Sequence, residues 1–257
     1  MRDSDYIPSG GWKPLTPIMK WPLLGVELEV EANYDKMYLT YRDGCDCVSC
    51  REYRDTGFDN GSSEPNNIET IDELIENKYN QWLVTKEDGS LENGIELVSV
   101  PMQFKEHRRK WPSVLNLLRK NKVECNDGTG LHIHIETPVL PPQRTNQVLL
   151  CNKKLIQKIA GRDSEEYCEW PNKYYDDFNC IDDCHYGVIN KTEYFPIINS
   201  NNSVYEFRAP QATLNLKEFL GRVQLPITLT KFILETDRPP NQFHNYIKNN
   251  HYIRPLL

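Results

Sequence analysis

Three short segments, far apart in the chain, place ionisable residues at every second position. They are Gly25-Val26-Glu27-Leu28-Glu29, Gly130-Leu131-His132-Ile133-His134 and Glu206-Phe207-Arg208. Because alternate side chains of a β-strand share a face, each segment directs two polar groups to one side and apolar side chains to the other. The pattern predicts a sheet with a packed core on one face. It predicts glutamates, histidines and an arginine together on the opposite face, where they could hold metal ions and an anion.

The composition limits the classes of protein that such a chain can represent. Its 257 residues are 26% charged and 39% hydrophobic, which is ordinary for a soluble globular protein with a sizeable core. The formal net charge of −7 argues against a nucleic-acid partner. The first six residues contain no apolar run, and no stretch approaches the ~20 apolar residues of a membrane helix. A cytoplasmic protein without a membrane partner is therefore expected, in which cysteines serve as thiols or metal ligands rather than disulfides.

The hydrophobic periodicities predict strands and helices in irregular order along a single domain, 1–257. Strands are predicted at 24–30, 82–85, 94–98, 131–136 and 204–209. Helices are predicted at 70–79, 111–120 with Pro112 in the first turn, 146–159, and 216–234 with an interruption at Pro226. Since βαβ alternation is missing, an α+β fold with a mainly antiparallel sheet is expected. Residues 35–67 are interpreted as a Cys-containing insertion or long loop, and 162–203 as loop-rich.

Carboxylates on the predicted strands are the first candidates for a functional site. Glu27 and Glu29 repel each other on one strand face unless a cation lies between them, and their oxygens suit Mg²⁺ or Mn²⁺. Glu96 lies within an apolar strand, where an unpaired carboxylate is costly. Solvated strand residues or simple ion pairs would also explain all three. Asp88, in Asp88-Gly89-Ser90, is equally typical of an ordinary turn.

Imidazole and guanidinium groups complete the candidate site. His132 and His134 could bind a transition metal, or one of them could contact a phosphate. A zinc site is not expected there, because no third ligand follows at motif spacing. Glu206 and Arg208 could simply pair with each other. Alternatively, Glu206 binds a metal and the planar fork of Arg208 binds phosphate.

Taken together and in this order, the segments resemble one family. The chain is identified as a member of the phage and bacterial amidoligase family, in the carboxylate–amine ligase superfamily that includes glutamine synthetase and glutamate–cysteine ligase. These segments occur in the order typical of the family and extend over most of the chain, from residue 25 to about 215. The residues that carry the resemblance are Gly25-x-Glu27-x-Glu29, Asp88-Gly89-Ser90-Leu91, Gly94-Ile95-Glu96-Leu97-Val98-Ser99, Gly130-Leu131-His132-Ile133-His134, Tyr194 through Asn199, Glu206-Phe207-Arg208 and Thr213-Leu214-Asn215.

The resemblance implies a curved, mainly antiparallel sheet with flanking helices, that is, a glutamine synthetase-like catalytic fold that binds ATP and divalent metals. It implies transfer of the ATP γ-phosphate to a carboxylate and attack of an amine on the acyl phosphate. Arg208 would stabilise the transferring phosphoryl group. The metal ligands it implies are Glu27, Glu29, Glu96 and Glu206. The other residues it implies for catalysis or nucleotide binding are His132, His134 and Asp88.

One position departs from the family pattern, which has an arginine ahead of the Tyr…Asn segment. Lys191 is the nearest basic residue here. It is the candidate for contact with a phosphate or a substrate carboxylate at this position, although lysine is a point charge without the planar fork of arginine.

The cysteines of the predicted insertion form a second, separate candidate site. Cys45, Cys47 and Cys50 could hold a structural Zn²⁺ with a fourth ligand such as Cys184, Cys180 or His185. Ordinary reduced cysteines in loops are the alternative.

Two alternatives to a ligase follow from the same residues. One is a metal-dependent hydrolase that uses the glutamate and histidine face without a nucleotide. The other is a non-catalytic protein that keeps the fold to bind a partner. As a ligase, the chain would act in a bacterial or phage-infected cell on small-molecule or peptide amines and carboxylates, including those of a protein substrate.

Overall fold

The computed structural model describes residues 22–32, 71–87, 91, 94–163, 168–171, 188–192 and 202–257. Several sequence-based predictions lie outside these residues. They concern the insertion at 35–67 with Cys45, Cys47 and Cys50, the turn at Asp88, the segment from Tyr194 to Asn199, and the further zinc ligands Cys180, Cys184 and His185.

Seven strands form one sheet, and every pairing described is antiparallel. They are β1 (Leu23–Ala32), β2 (Leu83–Glu87), β3 (Gly94–Ser99), β4 (Val123–Glu124), β5 (Leu131–Pro138), β6 (Ile189–Thr192) and β7 (Asn202–Phe207). Their order is β2-β3-β1-β5-β7-β6, with the short β4 pairing with β1. The two strands with the densest ionisable patterns, β1 and β5, are therefore neighbours near the centre of the sheet.

The helices pack against one face of this sheet. They are α1 (Ile71–Tyr79), α2 (Phe104–Lys120), α3 (Pro142–Ala160), α4 (Leu216–Glu235) and α5 (Phe243–Ile247), with 3₁₀ turns at Pro240–Gln242 and Arg254–Leu256. The apolar residues of the strands, such as Leu28 and Ile133, share one hydrophobic core with Trp111 of α2 and Phe219 of α4. The α+β fold with an antiparallel sheet and flanking helices is confirmed.

Pro112, expected in a first helical turn, and Pro226, expected to interrupt a helix, both lie inside continuous helices. The second helix begins at Phe104 rather than near Trp111, so Pro112 lies within it and not in its first turn. The last long helix runs continuously across Pro226, so the predicted interruption is wrong. Each proline removes one backbone donor. Burial stabilises both helices despite this loss: one side of α2 is buried, including Trp111 and Val114, and α4 is buried on most sides from Phe219 to Ile233.

Arg144 of α3 closes the C-terminal end of α4, where the last carbonyl groups lack intrahelical donors. Its Nε donates to the carbonyl oxygen of Ile233 at 2.9 Å, and its Nη2 donates to those of Thr236 at 2.6 Å and Arg238 at 3.1 Å. Nη2 also donates to the Phe232 carbonyl at 3.4 Å, so one guanidinium joins four backbone carbonyl groups of α4 and the segment that follows it.

Replacing Arg144 by methionine is expected to lower the free energy of unfolding by about 2 kcal/mol, because these charge-assisted hydrogen bonds are lost together. Chemical denaturation measures the effect. Lys154→Met, at an exposed position of the same helix, is the matched control and should change stability by less than about 0.5 kcal/mol. Equal decreases in the free energy of unfolding of the two variants would contradict the conclusion that Arg144 stabilises the end of α4.

Candidate functional site

The strand register brings the predicted ionisable residues to one face of the sheet. Glu27 of β1 lies opposite His132 of β5, and His134 lies opposite Glu206 of β7. Residues directly opposite each other in an antiparallel pair point to the same side. These side chains are also withdrawn from solvent, with residue exposures that range from 3% for His134 to 9% for Glu206. We call this side of the sheet, opposite the helices, the acidic face.

Glu27 lies at the centre of the acidic face. Its Oε1 is 3.0 Å from His134 Nε2, and its Oε2 is 3.6 Å from His132 Nδ1. Burial raises the pKa of this carboxyl, but the positive charge and hydrogen bonds of the two histidines outweigh burial and hold the pKa well below its ordinary value. Glu27 is therefore ionised at neutral pH.

His132 lies among three carboxylates. Its Nδ1 is 3.5 Å from Glu206 Oε1, in addition to the contact with Glu27, and its Nε2 is 3.6 Å from Glu29 Oε1. Burial lowers the pKa of His132, but the hydrogen bond to Glu27 and the negative charges of Glu206 and Glu29 outweigh burial, so the pKa lies above its ordinary value. The ring thus partly neutralises a cluster of negative charge.

Two groups of side chains on this face have the composition and spacing of metal ligands. One is Glu27, Glu96 and His132, and the other is Glu27, His134 and Glu206; within each group the potential ligand atoms all lie within 4.8 Å of one another. Two carboxylates and one imidazole make a mainly oxygen ligand set, which fits Mg²⁺ or Mn²⁺ better than a thiolate-binding metal. Glu27 belongs to both groups, so the two candidate positions are neighbours that share one carboxylate.

Glu96 and Lys86 form a buried ion pair at the β2 side of the acidic face. Lys86 Nζ lies 3.1 Å from Glu96 Oε2, and the two side chains are only 9% and 11% exposed. Burial, and then the negative charge of Glu27, raise the pKa of Glu96 to about 8, although Lys86 opposes the shift. Burial, together with the nearby charge of Glu27, thus favours the protonated form of Glu96 near neutral pH.

Arg208 and Glu206 form a second ion pair at the β7 side. Arg208 Nη1 donates to Glu206 Oε1 at 2.5 Å. The arginine side chain is 25% exposed, and its buried Nε makes no hydrogen bond in the part of the chain that the structure describes. Part of the guanidinium fork is therefore available to an anion beside the carboxylates.

Gly130 fixes the position of Glu29. Its backbone N–H donates to Glu29 Oε2, while the backbone N–H of Glu29 donates to the Gly130 carbonyl at 3.1 Å. A Cβ atom at residue 130 would lie 2.8 Å from His132 Nε2 and 3.0 Å from Glu29 Oε2. Only glycine lets the backbone approach both side chains this closely.

Replacing Gly130 by alanine is therefore expected to displace His132 and Glu29 and to weaken Mn²⁺ binding about tenfold, as loss of support around metal ligands does elsewhere. Isothermal titration with Mn²⁺ measures the effect. Gly128→Ala is the matched control in the same turn, since a Cβ there would meet only Asn126 Oδ1, at 3.3 Å. Unchanged Mn²⁺ affinity in Gly130→Ala would contradict this steric argument.

The structure brings most of the predicted site residues together, but not all of them. Glu27, Glu29, Glu96, His132, His134, Glu206 and Arg208 share the acidic face. Lys191 of β6 does not join them, because it pairs with Tyr205, whose side chain belongs to the core on the other side of the sheet. Asp88 and the cysteines of the predicted zinc site lie outside the described residues.

Sequence reasoning missed two buried residues of the acidic face. Lys86 lies in β2 directly opposite Glu96. Glu136 continues the alternation of His132 and His134 along β5, is 7% exposed, and accepts a hydrogen bond from Asn202 at 3.3 Å. The alternation itself could have revealed Glu136, whereas only the pairing of β2 with β3 reveals Lys86.

Comparison with known proteins establishes the family. Residues 70–229, more than half of the chain, match the sequence model described as "Putative amidoligase enzyme". The chain belongs to this amidoligase family, and the resemblance drawn from the sequence motifs is confirmed at that level. No relative is found among curated proteins.

Solved structures with a related arrangement are distant. Glutamine synthetase of Plasmodium falciparum matches with a TM-score of 0.44 and 12% identity, over 85% of this chain and 52% of the other. A chain of the complex between the prokaryotic ubiquitin-like protein Pup and its ligase PafA matches with a TM-score of 0.43 and 11% identity, over 88% of this chain and 50% of the other. This chain thus spans about half the length of each. None of the helices in the described residues is long and apolar enough to cross a membrane.

Proposed function

We propose that the chain is an ATP-dependent carboxylate–amine ligase whose active site is the acidic face. In the proposed reaction, a substrate carboxylate oxygen attacks the γ-phosphorus of ATP, and the bond to the leaving ADP breaks. An amine nitrogen then attacks the acyl carbon, the bond to phosphate breaks, and the amine loses a proton as the amide forms. Family membership supports the ligase class. The single observation that carries the site is the pair of metal-ligand groups that share Glu27.

The donor set fits divalent magnesium or manganese. Glu27, Glu96 and Glu206 would hold the ions, with His132 and His134 completing the two groups and Glu29 at the margin beside Gly130. When bound, such ions neutralise the negative charge that ATP and a carboxylate bring together. The carboxylates are buried and close to one another, so the unscreened repulsion between them favours cation binding.

Arg208 is the residue that the proposal places against the transferring phosphoryl group. It is held by Glu206 through Nη1, and its Nε makes no hydrogen bond within the described residues. A guanidinium can contact two phosphoryl oxygens at once. It keeps its charge throughout, so it can stabilise the negative charge that develops during transfer without moving a proton.

Lys86 has a different role in this proposal. Its ammonium group contacts Glu96 at 3.1 Å and lies two strands from Glu27. It holds the Glu96 carboxylate in position on the acidic face and offsets part of the negative charge there. Lys191, on the opposite side of the sheet, has no part in the proposed phosphate contacts.

The first experiment is a thermal-unfolding series with ATP plus Mg²⁺, ATP plus EDTA, and Mg²⁺ alone. A ligand that binds only the native state raises the midpoint by mass action. We expect a shift with ATP plus Mg²⁺ that exceeds the shift with Mg²⁺ alone and disappears with EDTA and in Glu206→Gln. Phosphate release in the presence of mixtures of carboxylates and amines then tests turnover.

Two outcomes would change this assignment. Absence of any ATP-dependent shift at millimolar ATP, with the shift by Mg²⁺ alone retained, would overturn the ligase proposal and favour a metal-dependent hydrolase. Absence of both ATP and metal binding by the folded protein would favour a non-catalytic binding protein.

A further inference from the structure

Positive charge is concentrated in two stretches of a chain that is acidic as a whole. Residues 105–122 hold seven lysines and arginines against one glutamate, a net charge of +6. Residues 238–257 hold three basic residues and no acidic one, a net charge of +3. The rest of the chain, with 20 basic and 36 acidic residues, carries −16. A general requirement for solubility does not explain such a separation.

Helix α2 presents this charge on its outer side. Its inner side is buried in the core through His107, Trp111, Val114, Leu115 and Leu118. The exposed positions recur three or four residues apart, which places them along one stripe of the helix. The exposed basic residues of this stripe are Lys105, Arg108, Arg109, Arg119 and Lys120.

Within the part of the chain that the structure describes, few carboxylates neutralise this charge. Within the described residues, the only carboxylate that forms an ion pair with the stripe is that of Glu106, which accepts from Arg109 at 2.6 Å. Even so, the Arg109 side chain remains 70% exposed.

The arginines of the stripe are held in place by their neighbours. Arg108 donates to the hydroxyl of Tyr252 at 2.7 Å, and Arg119 Nε donates to the Leu115 carbonyl at 3.3 Å. The Tyr252 ring also packs against Phe104 at 4.9 Å between centroids, which joins the stripe to the basic C-terminal stretch. Ordered guanidinium groups lose less conformational entropy on binding than free side chains do.

We propose that the outer stripe of α2, together with the adjoining residues around Tyr252, is a docking surface for an acidic polypeptide segment of another protein. The 17 residues of α2 extend about 25 Å, which matches about eight residues of an extended peptide. Arginine forks suit carboxylates. A nucleic acid is a poorer fit, because the chain as a whole carries a formal net charge of −7 and would repel a longer polyanion.

A labelled peptide of eight glutamates, measured by fluorescence anisotropy at about 50 mM salt, tests the proposal; its matched control is the eight-glutamine peptide. Arg108→Gln/Arg119→Gln is expected to weaken octaglutamate binding about tenfold, because two charge-assisted contacts are lost. Lys154→Gln/Lys217→Gln removes the same net charge at exposed positions of α3 and α4 and should leave affinity within about twofold. Thermal unfolding verifies that all variants are folded.

Three results would overturn the proposal. One is equal weakening in both double variants, which would indicate a general electrostatic effect. Another is tighter binding of a 20-nucleotide DNA than of octaglutamate, which would indicate a nucleic-acid surface. The third is no saturable octaglutamate binding by the parent protein. None of these measurements depends on ATP or on the acidic face, so the docking surface and the proposed ligase function can fail separately.

Discussion

Replacing Glu27 by glutamine is expected to abolish divalent-ion binding and the proposed ligase turnover while leaving the fold intact. Glu27 is the one residue common to the two candidate ligand groups, and it contacts both His132 and His134. Glutamine keeps the size and shape of the side chain. It lacks the negative charge that His132 and His134 stabilise on Glu27. Turnover should fall about a thousandfold or more, a loss of about 4 kcal/mol of transition-state stabilisation.

The number of Mn²⁺ ions bound per chain tests this prediction most directly. Two ions should bind the parent protein, and neither should bind Glu27→Gln with comparable affinity. Glu96→Gln and Glu206→Gln each alter one group only, so each should retain one ion. Isothermal titration or electron paramagnetic resonance counts the bound Mn²⁺ in all four proteins.

Glu31→Gln is the matched control for Glu27→Gln. Glu31 lies on the same strand and the same face but belongs to neither ligand group, and it accepts a hydrogen bond from Asn126. The Glu31→Gln variant should bind Mn²⁺ with the affinity and stoichiometry of the parent protein. Retention of both ions by Glu27→Gln, or equal losses in Glu31→Gln, would show that Glu27 is not a shared ligand.

Strand periodicity predicted which side chains share a face, because the period of two is a property of the strand alone. It placed Glu27 and Glu29 with each other, and His132 with His134. It did not predict that β1 lies between β3 and β5, the order that places Glu96 and His132 on either side of Glu27. Contacts between residues about 100 positions apart depend on strand order and register, which the motifs alone do not specify.

Lys191 and Lys86 show the limits of reasoning from motif position. Sequence position alone makes Lys191 a candidate, because it precedes a motif, yet the register of β6 with β7 directs it to the opposite side of the sheet. Lys86 stands beside a turn signal in the sequence, yet it is a buried partner of Glu96. A lysine so little exposed requires a nearby carboxylate, and only the pairing of the strands supplies one.

Local signals were also insufficient for the helix ends. Pro112 predicts a helix start, because proline is favoured in the first turn. The helix instead extends back to Phe104, since His107 and Trp111 bury the preceding turns against the sheet. Tertiary packing therefore outweighed the local cost of a proline inside the helix.

The stability of the protein should fall by about 3 kcal/mol between pH 6.5 and pH 4 on account of His107 alone. The residue is fully buried; its Nε2 donates to the Leu24 carbonyl at 2.9 Å, and its Nδ1 accepts from Trp111 Nε1 at 3.0 Å. Both nitrogens are thus used by the neutral ring. Burial lowers the pKa of His107 to about 4, although the backbone carbonyls of Leu24 and Met102 oppose the shift.

The sign of the effect follows from which state binds the proton. Above pH 6.5 the ring is neutral in the folded and the unfolded chain, so its contribution to stability is fully present. Between pH 6.5 and about 4 the unfolded chain binds a proton that the folded chain does not, so unfolding becomes easier as the pH falls. The difference of about 2.5 pKa units corresponds to about 3 kcal/mol.

Urea denaturation of the parent and of His107→Gln at several pH values tests this, because groups other than His107 titrate in both proteins and cancel in the difference. The parent should exceed the variant in stability at pH 7, and the gap should narrow by about 3 kcal/mol by pH 4. His244→Gln, at an exposed position of α5, is the control and should follow the parent. A stability difference that stays constant with pH would mean that His107 binds its proton equally well in the folded and unfolded chains, and that burial does not hold the ring neutral.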